Sequence, residues 1–221
     1  MLDLGKRAVS IADIVSKRRQ CRIARLGRLT CAGGRCRDPR DFPDHISANS
    51  NLEKSIVSVS KKIVADFVAN NISFVTTVPC KQLGGVIEEC ENSPDIFHIP
   101  SNKEDEGMGL CAGAFMGGKR SAIIMQNTAI GVTINTLATL IQYYRMPLPM
   151  LISYRGELGE PVACQVEMAV HTKALLAQLN IPTYHFHHEA DADELDSILK
   201  YTYMCNKPVA ILTDASFWKG Y

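Results

Sequence analysis

At 221 residues and 46% hydrophobic content, the chain has enough apolar material for one sizeable core plus an appendage, so one domain with a tail is expected. No uninterrupted apolar run reaches the roughly 18 residues of a membrane span, so no membrane association is expected. The net charge of +1 hides an asymmetry: residues 1–40 carry eleven Lys and Arg against three Asp, which leaves the remainder acidic.

The chain opens on that basic extension, residues 1–50, running through KRRQCRIARLGRLTCAGGRCRDPRDFPDH. Arg and small residues without sustained apolar periodicity predict disorder. A charge run also suggests nucleic-acid contact or a targeting leader. The plainer reading is an extension with no catalytic role, and no nucleic-acid partner is expected. Cys21, Cys31 and Cys36 lack the paired short spacings of a zinc site. The other five cysteines are scattered through apolar or helical context, as reduced thiols of a cytoplasmic protein would be.

From residue 51 onward helical and strand patterns alternate. Leu52, Ile56, Val59, Ile63 and Phe67 recur at steps of three and four, which predicts an opening helix. A β-rich run, ISFVTTVP, stops at Pro79, and a helix is expected near residues 82–91. Strand IFHIP leads to KEDEGMGLCAGAFMGG, whose small residues suit a helix packed closely on a sheet. Strand SAIIMQ, helix TAIGVTINTLATLIQYY and strand LPMLISY follow. A polar loop, RGELGEPVACQVE, precedes a helix over about residues 169–179, and strand TYHFH, helix DADELDSILKYTYMC and strand PVAILTD complete the chain. Strand–helix alternation predicts an α/β fold: one doubly wound domain, residues 51–221, with a six-stranded, mainly parallel sheet.

Ligands of such sheets bind at the carboxyl ends of the strands, so the candidate loops are VPCKQ, PSNKEDEG, MQNTAIG and SYRGELGE. Glu104, Asp105 and Glu106 sit where a strand ends and a helix begins. Acidic residues there are ordinary, because the helix dipole favours them. Gln126 and Asn127 can donate hydrogen bonds to a ligand or cap a helix. Lys81, Lys103 and Arg155 bring positive charge to the same edge, with an ion pair to Glu157 or Glu160 as the plainer role for Arg155. Of the three histidines in YHFHH, His185 and His187 share a strand face and His188 points away. With no carboxylate or cysteine motif to complete a site, no metal is expected there. Tyr143 and Tyr144 read as core or interface.

Four blocks carry a resemblance: TVPC at 77–80, KEDEGMGLCAGAFMGGK at 103–119, IMQN at 124–127 and SYRGELGE at 153–160. Together they are similar to the pyrimidine-binding domain of thiamine-diphosphate enzymes, and within these to the sulfopyruvate and phosphonopyruvate decarboxylases, the alpha subunits of the two-subunit members above all. In decarboxylases and synthases of this kind a glutamate stands nine residues before a helix glycine; nine before Gly113 is Glu104, with Glu106 in reserve. The resemblance implies that this carboxyl hydrogen-bonds N1′ of the aminopyrimidine and promotes deprotonation of the thiazolium C2. It also implies cofactor contacts from Pro79, Gln126 and Asn127, and anion binding by Lys81, Lys103 and Arg155.

Relatives of this kind hold the diphosphate and its Mg²⁺ through a Gly-Asp-Gly start and a later Asn, and no Gly-Asp-Gly occurs here. The resemblance therefore implies a diphosphate-binding beta subunit, a hetero-oligomer, and activity only in its company. The implied reaction is decarboxylation of 3-sulfopyruvate in coenzyme M formation, with phosphonopyruvate decarboxylation as the alternative. A non-catalytic α/β anion-binding module is the alternative of another class.

Overall fold

The computed structural model of the chain describes residues 50–158, 160 and 162–218, with side chains from residue 56 onward. The expected disorder of the basic extension and its three cysteines lie outside the described residues.

The chain forms α1 (Ser50–Ala69), β1 (Ile72–Thr77), a short 3₁₀ turn and α2 (Gly84–Asn92), β2 (Phe97–Pro100), α3 (Glu104–Met116) and β3 (Arg120–Gln126). It continues through α4 (Ala129–Thr136), β4 (Leu148–Ser153), α5 (Ala163–Gln178), β5 (Thr183–Phe186), α6 (Leu195–Cys205) and β6 (Pro208–Thr213). All five strand pairings are parallel, in the order β2-β1-β3-β4-β6-β5. The expectation of a mainly parallel six-stranded sheet is met in full.

Residue alternation along the strands feeds two separate cores. Val75, Ile124, Leu151 and Ile211 face one side, where they pack with Ile63 and Phe67 of α1 and Leu199 of α6. Ile123, Met150 and Leu212 face the other, against Met108 of α3, Ile130 of α4 and Leu176 of α5. Each such side chain contributes about 1.5–3 kcal/mol on burial. The central strands β4 and β6 are buried at every residue, as a sheet covered on both faces requires, while the edge strands β2 and β5 are partly exposed. Steps from β2 to β3, β3 to β4 and β4 to β5 run one way along the sheet and use α3, α4 and α5. The steps β1 to β2 and β5 to β6 run back through α2 and α6 on the opposite face. A constant crossover hand produces this division.

Three boundaries differ from the sequence pattern. The loop expected through residue 167 ends earlier, because α5 starts at Ala163. Its polar letters suggest a loop, yet ACQVEMA consists largely of adequate helix formers. The single helix expected over residues 128–144 is α-helical only to Thr136 and becomes π-helical over Leu137–Gln142. Over so short a stretch, apolar spacing cannot separate the two periods. The last expected helix likewise begins as a 3₁₀ segment, Glu189–Glu194.

Candidate active site

The strand registers place Pro100, Thr77, Gln126, Ser153, Thr213 and Phe186 along one edge. The chain leaves β1 toward one face and β3 and β4 toward the other, so a crevice opens between these strand ends.

Glycine at two positions lets backbone and helix close on this edge. Around Gly107, in the first turns of α3, an added Cβ would meet Ser101 Oγ at 2.9 Å and Ile123 Cδ1 at 3.1 Å. At Gly156 φ is +99°, and a Cβ would lie 2.2 Å from the Gln165 carbonyl oxygen and 2.6 Å from Ala169 Cβ. The first seats the start of α3 on the sheet, and the second seats the loop after β4 on α5.

The acidic cluster separates by partner. Glu106 Oε2 accepts the Asn102 N–H at 3.1 Å, and Asp105 Oδ1 accepts the Glu106 N–H at 3.0 Å. Both are exposed and both serve the helix start. The side chain of Glu104, half-buried, has no hydrogen bond or ion pair among the described residues. Lys103 precedes it in extended conformation and is exposed, as is Pro79.

Gln126 stands where three elements meet. Its Nε2 donates to Gln165 Oε1 of α5 at 2.6 Å and to Thr128 Oγ1 at 3.1 Å. Cys80, buried beside it, lies 3.0 Å from Ser153 Oγ. Asn127 is fully buried and faces the protein. Its Nδ2 donates to the Arg155 carbonyl (2.9 Å) and the Thr172 hydroxyl (3.3 Å), and its Oδ1 accepts the Arg155 N–H (3.2 Å). This amide holds the loop after β4 in place.

Arg155 makes the ion pair that its plainer reading anticipated. Its Nε donates to Glu160 Oε2 at 2.7 Å, and Nη2 contacts Oε1. Glu160 also accepts the Gly156 and Val162 N–H groups at 3.2 and 3.1 Å. The Arg155 hydrogen bond, followed by these backbone donors, holds the Glu160 carboxyl below the usual range. Tyr154 closes the floor, its hydroxyl donating to the Ala169 carbonyl at 3.1 Å.

Above this floor lies a cavity of about 500 Å³, lined by Lys81, Gln82, Tyr154, Arg155 and Glu157 among others. The structure thus brings Lys81 and Arg155 together, while Lys103, Pro79 and Glu104 do not line that cavity. Gln82, absent from the sequence candidates, is 5% exposed, and its Oε1 has no hydrogen-bond partner. The only signal for it in the sequence was its place in the VPCKQ loop. A buried acceptor without a partner on a cavity wall is open to a donor from a ligand or water.

Asp214, directly after β6, faces both His185 and His187, a carboxylate that the local YHFHH pattern does not reveal. Parallel pairing of β5 with β6 closes a separation that sequence spacing conceals.

Fold and crevice define a doubly wound α/β domain with a crevice at the switch point of a parallel sheet, the place where such domains bind ligands. No family model matches the chain. Sulfopyruvate decarboxylase subunit alpha of Methanococcus maripaludis is 35% identical over 170 residues, covering 74% of this chain and 98% of that protein. The subunit of the same name from Methanocaldococcus jannaschii is 38% identical over 154 residues, 68% of this chain and 89% of that protein. Phosphonopyruvate decarboxylase of Streptomyces viridochromogenes matches a shorter stretch, 30% identical over 98 residues, 44% of this chain and 25% of that protein. Among solved structures, 2-oxoglutarate:ferredoxin oxidoreductase from Magnetococcus marinus shares the fold with a TM-score of 0.53 at 12% identity, over 72% of this chain and 29% of that one. The chain belongs to the sulfopyruvate decarboxylase alpha-subunit family.

Proposed function

We propose that the chain is the pyrimidine-binding half of a thiamine-diphosphate-dependent decarboxylase, converting 3-sulfopyruvate to sulfoacetaldehyde and CO₂ with uptake of one proton. The observation that carries this reading is the match to alpha subunits over nearly their whole length, with the phosphonopyruvate enzyme matching less. The domain assigned to this role is residues 51–221, with residues 1–50 as an extension.

Bound thiamine diphosphate supplies a nucleophilic carbon and an electron sink for the carboxylate's electrons. Glu104 is assigned the proton-sharing contact with the aminopyrimidine, because its neighbours Asp105 and Glu106 are occupied at the helix start. Gln126, tied to α5 by Gln165, is assigned to orient the ring edge. Asn127 acts behind it as a positioning residue, through Arg155. A substrate with a carboxylate and a sulfonate needs two cationic partners, and Lys81 and Arg155 share one cavity. Gln82 adds a neutral donor there once its amide is turned. Lys103, exposed at the start of α3, is left to steer anions toward the edge.

Activity is assigned to a hetero-oligomer in which a diphosphate-binding partner holds Mg²⁺. The subunit-alpha relatives support this, as do the exposed apolar side chains Met116, Val132, Tyr143 and Tyr144 on and after α3 and α4. Purified chain is expected to bind the cofactor weakly and to leave 3-sulfopyruvate intact, with turnover appearing on addition of a beta subunit. Steady turnover by the chain alone would overturn the two-subunit assignment.

A further inference from the structure

We propose that His185, His187 and Asp214 bind one divalent first-row transition-metal ion of the zinc type. Each offers one donor atom, and the three donors lie within 4.8 Å of one another. His185 Nε2 is 3.4 Å from Asp214 Oδ2, and His187 Nδ1 contacts the same oxygen. A tetrahedral ion with ligands at about 2.0–2.2 Å holds its donors about 3.3 Å apart. The first pair already has that separation. The second must open, and His187, with 49% of its side chain exposed, has the room to swing.

Two further features favour an ion. His185 Nε2 is buried without a hydrogen-bond partner, a loss that a metal ion would remove. Asp214 is 2% exposed and its other oxygen, Oδ1, accepts the Phe217 N–H at 2.9 Å, so Oδ2 is held toward the imidazoles as an outer contact holds a ligand. A cavity of about 310 Å³, lined by His185, His187, His188 and Asp191 among others, leaves a side open for water as a fourth ligand. Two imidazoles and one carboxylate suit zinc, iron or nickel rather than the all-oxygen shells of Mg²⁺ or Ca²⁺. The ion would tie edge strand β5 to the segment that follows β6.

Lys173 opposes the site as it stands. Its Nζ lies 3.0 Å from His185 Nδ1, which must carry the ring proton once Nε2 binds a metal. Lys173 is exposed and its ammonium already sits 4.9 Å from the centre of the Tyr154 ring, so the side chain can turn away. Removing it should therefore tighten binding, an effect with no counterpart if Asp214 merely accepts two imidazole hydrogen bonds.

The test uses the full chain, stripped with chelator and titrated at neutral pH with Zn²⁺ against a chromophoric competitor, and with Co²⁺ followed by its visible spectrum. One ion per chain is expected, with a Co²⁺ spectrum lacking the thiolate charge-transfer band that the eight cysteines would give. His187→Gln, a change at a half-exposed side chain, should weaken binding roughly tenfold or more. His171→Gln, at an exposed histidine on α5, should leave it unchanged, and Lys173→Met should tighten it severalfold. Absence of stoichiometric binding, a thiolate band, equal affinity in His187→Gln, or weaker binding in Lys173→Met would each overturn the site.

Discussion

Replacing Gly156 by Ala adds one methyl group where the backbone leaves no place for it. At φ +99° an L-residue is strained by about 1–3 kcal/mol. The new Cβ would also lie 2.2 Å from the Gln165 carbonyl oxygen, a backbone atom of α5 that moves only if the helix moves. Overpacking of this kind costs about 1–3 kcal/mol. Together these predict roughly 2–6 kcal/mol of destabilisation, a large part of the stability of an ordinary domain. The displaced loop carries Arg155, so turnover should fall in whatever fraction remains folded. Gly109→Ala is the control: open space surrounds Gly109 within α3, and the change should be neutral or stabilising by up to about 1 kcal/mol. Urea unfolding followed by circular dichroism gives both values. A loss below about 0.5 kcal/mol at Gly156, or an equal loss at Gly109, would refute the reasoning.

Asn127→Ala should cost about 1–3 kcal/mol, because the Arg155 N–H and carbonyl both lose their partner; equilibrium unfolding reads it. Gln82→Leu should leave stability unchanged or raised, since a buried unpartnered acceptor is removed, while KM for the oxoacid rises. In acid the loop after β4 should loosen. Glu160 titrates below its ordinary 4.5, so its contribution is complete above about 4.5 and is lost as pH falls through the folded value. Amide exchange across residues 155–162, corrected for intrinsic rates, should accelerate in that window and not near neutrality.

The sheet was legible because each strand of ISFVTT, SAIIMQ or PVAILT is a short apolar run between turn signals, and each intervening helix has a distinct composition. The π-helical end of the fourth helix was not, since spacing over one turn is ambiguous. At the site, the family resemblance singled out Glu104, and the structure adds that Asp105 and Glu106 have partners at the helix start. Asn127 looked like a ligand donor from its place after a strand, but its burial and three internal hydrogen bonds are tertiary facts. The roles of Gln82 and Asp214 were not legible for the same reason: beyond its place in the VPCKQ loop the first depends on the wall of a cavity, and the second on the register between β5 and β6.

The central assignment is the proton-sharing role of Glu104, and the most direct measurement is exchange of the C2 proton of bound thiamine diphosphate in the enzyme assembled with its beta subunit. Glu104→Gln keeps nearly the same volume but cannot share a proton, so exchange and turnover should fall by about 10²–10⁴ with the fold intact. Glu106→Gln should exchange nearly as fast as the wild type and lose only about 0.3–1 kcal/mol of stability at the helix start. Equal, mild effects of the two changes would contradict the assignment, and a severe effect at Glu106 alone would move the role to that residue.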